Sequence, residues 1–190
     1  EILVKINENN ELKEEDVLVV QSISGNVNDA LIELLFTLDI VNNSNPKAIY
    51  LLITYMGYSR QDRIENTGES FSAKVIADIL SKRYIKKLFT IDLHAAQTLG
   101  FFNVPSINLN TDEVIIEDIK NNYNLNDIIL ISPDTGNVKS IIAISNKINV
   151  DYSIAIKYRP AANENKILST VGHSVSNKIC IIIDDIIDSA

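Results

Sequence analysis

The chain of 190 residues is predicted to be an α/β protein in which parallel sheets are flanked by helices. Three observations predict it. Short apolar runs without polar alternation recur, such as Val17-Leu18-Val19-Val20 and Ile128-Ile129-Leu130-Ile131, and such runs read as strands buried on both faces. Segments with apolar residues at helical spacing fall between them. Polar clusters follow the strands, where the ligands of a parallel sheet bind.

Taken in order, Ile2 to Ile6 reads as a strand, followed by a polar turn through Glu15. Val17 to Val20 is a buried strand. Asn28 is an N-cap candidate for a helix with Leu31, Leu34, Leu35 and Leu38 on one face, ending in Asn42-Asn43-Ser44-Asn45-Pro46. Ala48 to Ile53 reads as a strand and Tyr55 to Ser70 as a polar loop. Phe71 to Tyr84 is helical by the spacing of Val75, Ile76, Ile79 and Leu80, and Leu88 to Ile91 is strand-like. Beyond a boundary near Asn108-Leu109-Asn110 the alternation resumes. Thr111 caps a helix through Ile119, with Asp112 and Glu113 in its first turn. Ile128 to Ile131 is a strand, Val138 to Ile148 a helix, and Ser153 to Ile156 and Ile179 to Ile183 are further strands. Two sheet units, each covered on both faces, account for the pattern.

Composition narrows the function. A formal net charge of −8 argues against a general nucleic-acid surface. The longest apolar runs are far shorter than the roughly 18 residues of a membrane span, and no basic, apolar leader opens the chain, so neither membrane nor export is expected. The single Cys180 excludes a disulfide framework or a Cys-rich zinc site and suits a reducing cytoplasm. It is expected to be a small core residue, and His173 a surface loop residue. Arginine occurs only at positions 60, 63, 83 and 159, in a chain that otherwise favours lysine. Three of these lie in the polar clusters, where a planar, bidentate contact to phosphate or base is poorly replaced by lysine.

The clusters are Tyr58-Ser59-Arg60-Gln61-Asp62-Arg63, Asp92-Leu93-His94, Ser132-Pro133-Asp134, Lys157-Tyr158-Arg159 and Asp184-Asp185. Paired acids at the end of a buried strand accept hydrogen bonds from vicinal hydroxyls, and the turn beyond them can hold a phosphate. Taken alone, the same tail also suits a metal-binding receiver domain or acids that cap a helix. No glycine forms a Gly-x-x-x-x-Gly-Lys loop or a Gly-x-Gly-x-x-Gly turn.

In order along the chain, Val27-Asn28-Asp29, the cluster from Tyr58 to Arg63, Asp92-Leu93-His94-Ala95-Ala96-Gln97, Gly100-Phe101-Phe102, Ser132-Pro133-Asp134 and the terminal acidic run closely resemble the ribose-phosphate diphosphokinase, or phosphoribosyl pyrophosphate synthetase, family. The resemblance covers essentially the whole chain. It implies two phosphoribosyltransferase-like domains, residues 1–108 on the ATP side and 109–190 forming part of the ribose-5-phosphate side. It further implies Mg²⁺-dependent transfer of diphosphate from ATP to the C1 hydroxyl of ribose 5-phosphate, yielding phosphoribosyl pyrophosphate and AMP for nucleotide biosynthesis. Family members are homo-oligomers, dimers or hexamers.

Carried over residue by residue, the resemblance assigns Arg60, Gln61, Asp62 and His94 to ATP. It assigns Lys157 and Arg159 to catalysis at the root of a mobile loop from Pro160 to Lys166. Asp184, Asp185, Asp188, Ser189 and Ala190 fall to ribose 5-phosphate, and His94 and Asp134 to the metal. Because Mg²⁺ prefers oxygen and keeps its waters, a water-mediated contact of His94 is as consistent as a direct one. The chain departs from the family pattern in three ways. It begins after the family's first strand, it stops before the Gly-Thr that completes the phosphate loop, and it has Asn137 where a second glycine is usual and Ser140 where a basic residue is common. The alternative reading is therefore a shortened, non-catalytic relative that binds nucleotide or regulates a complete synthetase. A true phosphoribosyltransferase fits less well, because it needs no ATP segment.

Overall fold

A computed structural model of the chain describes residues 2–6, 9–161 and 164–187, excluding the side chains of 9–10, 157–161 and 164–168. It divides into two compact units, Glu1–Asn110 and Thr111–Ala190.

The first unit alternates strand and helix: β1 (Asp16–Ser22), α1 (Val27–Asn43), β2 (Ala48–Tyr55), α2 (Ser72–Ser81), β3 (Lys87–Ile91), a 3-10 turn at Ala96–Phe101 and β4 (Ser106–Leu109). The strands form one parallel sheet in the order β1-β2-β3-β4. Consecutive order combined with right-handed crossovers sends each connection over the same face. Accordingly α1 buries Leu31, Leu34, Leu38 and Val41, and α2 buries Ala73, Ile76, Ala77 and Leu80, in one core with Val19, Leu51, Ile53 and Leu88. The opposite face carries Leu18 and Val20 at 55% and 54% exposure and Ile107 and Leu109 at 38% and 41%. Coverage of both faces, expected from the unbroken apolar runs, is thus not found in this unit, because strand order rather than strand composition decides where the helices go.

The α2 face also differs from the periodicity reading. Val75 is half exposed, while Ala73 and Ala77 are buried; small side chains let the helix approach the sheet closely, and a count of large apolar residues overlooks them. Residues 2–6, read as a strand, form neither strand nor helix, and Ile6 packs against the core instead. The four residues of β4, in the sequence Ser-Ile-Asn-Leu, carry too little apolar signal to be recognised without their partner strand.

The second unit consists of α3 (Asp112–Asn122), β5 (Ile128–Ser132), α4 (Val138–Ile148), β6 (Tyr152–Ala161), β7 (Glu164–Gly172) and β8 (Ile179–Ile182). Its sheet runs β7-β6-β5-β8. β5 is central, pairs in parallel with β6 and β8, and is buried at all five positions. Helices α3 and α4 contribute Ile116, Ile119, Ile141, Ile144 and Ile148 to its core. β7 is antiparallel to β6, so the described residues of the segment expected to be a mobile loop, 160–161 and 164–166, lie in strands. Cys180 is exposed on β8, not a core residue; β8 forms the sheet edge, and its burial pattern is mostly exposed. His173, as expected, is exposed, and its backbone N–H bonds the Tyr152 carbonyl at 3.2 Å.

Candidate functional site

In the first unit, the carboxyl ends of β1, β2 and β3 deliver three polar segments to one rim of the sheet. The segment after β2 begins at Gly57, where an added Cβ would lie 2.6 Å from Val27 Cγ1 and 2.9 Å from the Ile23 carbonyl oxygen. Only glycine lets this backbone press against the β1–α1 turn. Tyr58 follows in the left-handed region at φ 64°, and its hydroxyl donates to Asn28 Oδ1. Ser59 is buried. The Gln61 N–H closes a turn on the Tyr58 carbonyl at 2.9 Å, and the Gln61 carbonyl accepts from the Ala73 N–H of α2 at 3.1 Å.

These bonds leave Arg60 and Gln61 exposed on a ridge between two grooves. Gly25, Asn26, Asn28 and Tyr58 line one groove; Arg63, Glu65, Glu69 and Ser70 line the other. Arg63 is matched by Glu65, 2.9 Å from its guanidinium. The Asn66 side-chain amide, together with the N–H groups of Asn66 and Glu65, holds the Glu69 carboxyl below its ordinary range. The loop is therefore internally organised, with Arg60 at its outer corner.

The segment after β3 turns at Asp92, φ 39°, and leads through Leu93 to the exposed His94. Gln97 Nε2 donates to Asp62 Oδ2 at 3.1 Å, which joins the turn region of His94 to the loop of Arg60 and Gln61. Thus Arg60, Gln61, Asp62 and His94 belong to two linked segments of one unit.

The second unit gathers the acids. Asp134 follows β5, and its backbone carbonyl accepts from Ser132 Oγ at 2.7 Å while its carboxylate accepts from the Gly136 N–H at 2.8 Å. Asp184 and Asp185 follow β8, with the Asp185 N–H on Asp184 Oδ1 at 3.1 Å. Partial burial, then hydrogen bonding and charge repulsion from Asp185, and then the charge of Asp134, raise the Asp184 carboxyl above its ordinary value of 3.8. The two loops are cross-linked by Asn137, whose Nδ2 donates to the Ile183 carbonyl at 2.9 Å. Asn137 sits at φ −93°, so a side-chain bond, rather than a left-handed backbone, is what asparagine contributes here. Ser140 bonds Asp112 at 3.1 Å and thereby ties α4 to the start of α3.

Lys157 and Arg159 lie on β6 beyond its pairing with β5, which covers Tyr152–Ile154. The Lys157 backbone is in register with Ile167, and both side chains lie outside the described residues. Asp188, Ser189 and Ala190 also lie outside them. Among the described residues, no three His, Cys, Asp or Glu side chains stand together as a metal cage. His94 is in the first unit and Asp134 in the second.

Four supporting residues carry no role in the sequence reading: Tyr58, Gln97, Asn108 and Asn137. Gln97 and Tyr58 lie inside the polar motifs, whereas Asn108 lies beside the boundary between the two units. Pairing amides and hydroxyls with remote loops was beyond any local signal.

Residues 1–83 match the family model for the N-terminal domain of ribose phosphate pyrophosphokinase. The ribose-phosphate pyrophosphokinases of Agrobacterium fabrum and Aquifex aeolicus are similar at 39% and 38% identity, covering 100% of this chain and 60% of each relative. The crystal structure of phosphoribosylpyrophosphate synthetase from Mycobacterium smegmatis is similar with a TM-score of 0.79 and 27% identity, over 97% of this chain and 59% of that one. The chain spans about three-fifths of the length of these relatives. Along all of its own length, in sequence and in fold, the chain is similar to ribose-phosphate pyrophosphokinases.

Proposed function

We propose that this chain contributes to the synthesis of phosphoribosyl pyrophosphate from ATP and ribose 5-phosphate. The first unit would bind the nucleotide through Arg60, Gln61, Asp62 and His94. The second would bind the sugar phosphate, with Asp184 and Asp185 accepting hydrogen bonds from ribose hydroxyls and Asp188, Ser189 and Ala190 at the 5-phosphate. The C1 hydroxyl oxygen bonds to the β-phosphorus of ATP as the bond from that phosphorus to the α,β-bridging oxygen breaks. AMP leaves with the bridging oxygen, and the hydroxyl proton passes to solvent.

Phosphoryl chemistry of this kind asks a protein mainly for positioning and charge. Lys157 and Arg159 would stabilise the negative charge that develops on the transferred group and on the leaving oxygen. Mg²⁺ bound to the nucleotide phosphates would neutralise charge there, with His94 and Asp134 as its protein-side contacts. The observation that carries the reading is the Gln97–Asp62 bond joining the Arg60 loop to the His94 segment, in a chain 39% identical to a ribose-phosphate pyrophosphokinase. We add homo-oligomeric assembly from the family resemblance, and a cytoplasmic site from the single free Cys180. Among the described residues no helix is long and apolar enough to cross a membrane.

The test is formation of AMP and phosphoribosyl pyrophosphate from ATP and ribose 5-phosphate, with and without Mg²⁺, by the native protein carrying this sequence. Equimolar release of both products that requires Mg²⁺ supports the reading. Release of ADP, or consumption of phosphoribosyl pyrophosphate with a base as acceptor, replaces it with another reaction.

A further inference from the structure

The turn that presents His94 is held by the neighbouring strand. Asp92 adopts φ 39°, and its N–H continues the sheet ladder by bonding the Leu109 carbonyl at 3.0 Å. One residue further, the Leu93 N–H donates to Asn108 Oδ1 at 3.0 Å. The same oxygen accepts from Thr90 Oγ1, also at 3.0 Å. Thr90 and Asn108 are register partners across β3 and β4, so the two side chains stand on one face of the sheet. Thr90 is fully buried, and Leu93 is buried directly before His94. An amide nitrogen in that place would oppose the Leu93 N–H, which can only donate, so the carboxamide has one permitted orientation.

We propose that Asn108 is a positioning residue of the nucleotide site. Through a single oxygen it fixes both the end of β3 and the peptide that aims His94. The inference rests on the reading of His94 as an ATP contact. It asks three things of position 108: an acceptor, a side chain of this length, and no competing donor. Aspartate meets these requirements and leucine meets only that of size.

The experiment compares Asn108→Leu and Asn108→Asp with the native protein through two readouts. One is hydrogen exchange at the Leu93 amide without ligand; the other is the KM for ATP set against the KM for ribose 5-phosphate. The leucine variant is expected to accelerate Leu93 exchange and to raise the KM for ATP by about tenfold, the scale of one lost hydrogen bond of roughly 1.4 kcal/mol. The KM for ribose 5-phosphate should stay at the native value, and Asn108→Asp should return both readouts towards native. Thr90→Val, which strands neither donor, should leave Leu93 exchange slow, and it keeps the test open if the leucine variant does not fold. Equal rises in both KM values would show a merely structural role and overturn the proposal, as would fast Leu93 exchange with an unchanged KM for ATP. If the native protein neither binds nor turns over ATP, the nucleotide reading falls and the proposal with it, whereas the exchange data separately report whether Asn108 holds the turn.

Discussion

The loops at the rim of each unit are held by different means. In the first, side-chain hydroxyls and amides tie the loops: Tyr58 to Asn28, Gln97 to Asp62, and Asn108 to both Thr90 and Leu93. In the second, partial burial and then the neighbouring Asp185 and Asp134 raise the Asp184 carboxyl, and the Asn137 amide bridges their loops. A group of acids held against its own repulsion offers acceptors to hydroxyl hydrogens or to a cation, but its strength then depends on pH and on what is bound. The acids of the second rim suit the polyol proposed for it, and the exposed Arg60 of the first suits the proposed anion.

The largest effect should come from β6, on which the proposed catalytic Lys157 and Arg159 lie. Lys157→Ala is expected to lower turnover by roughly 10²–10³-fold, the scale of losing one charge-stabilising group, with nucleotide affinity near native. Steady-state kinetics beside ATP titration reads this, and activity that survives nearly intact removes Lys157 from the mechanism. The next test strikes the rim of the first unit. Gly57→Ala pushes a methyl against Val27 and the Ile23 carbonyl and should cost about 1–3 kcal/mol, measured by urea denaturation; no shift in midpoint would mean that the close approach is not needed.

Asn137→Gly tests the cross-link of the acidic rim. Loss of its bond to the Ile183 carbonyl should cost about 1 kcal/mol and weaken ribose 5-phosphate binding more than ATP binding. If both ligands weaken equally, the two rims are less independent than their construction indicates.

The smallest effect concerns pH. Because the folded Asp184 holds its proton more tightly than an unfolded carboxyl near 3.8, it favours folding below that pH, and this contribution is lost as pH rises through the raised folded value. Asp184→Asn should therefore stabilise the protein at neutral pH by only a few tenths of a kcal/mol, since the group is largely solvated and screened. It should also flatten the fall of stability across mildly acid pH. An unchanged slope in urea titrations over that range would show that the repulsion is relieved in solution.

Much of this was legible in the sequence because it is local. The apolar runs of β1, β2, β3 and β5 and the leucine face of α1 are periodic signals of a few residues. The order of the polar clusters carried the family. The strand β4 and the hairpin of β6 and β7 were not legible: β4 is four residues long, and β7 follows a polar stretch whose partner alone makes it a strand. Cys180 was misjudged because burial depends on a strand's place in its sheet, and β8 lies at the edge.

The sequence by itself determined which chemistry is available on each half: arginine and histidine in loops of the first, paired acids in the second. Tertiary structure alone decided how those residues are held. Asn137 meets Ile183 across 46 residues, and Asn108 meets Leu93 only because β3 and β4 align Thr90 with it. Strand register converts distant positions into neighbours within hydrogen-bonding distance, and no local pattern of residue types encodes that register.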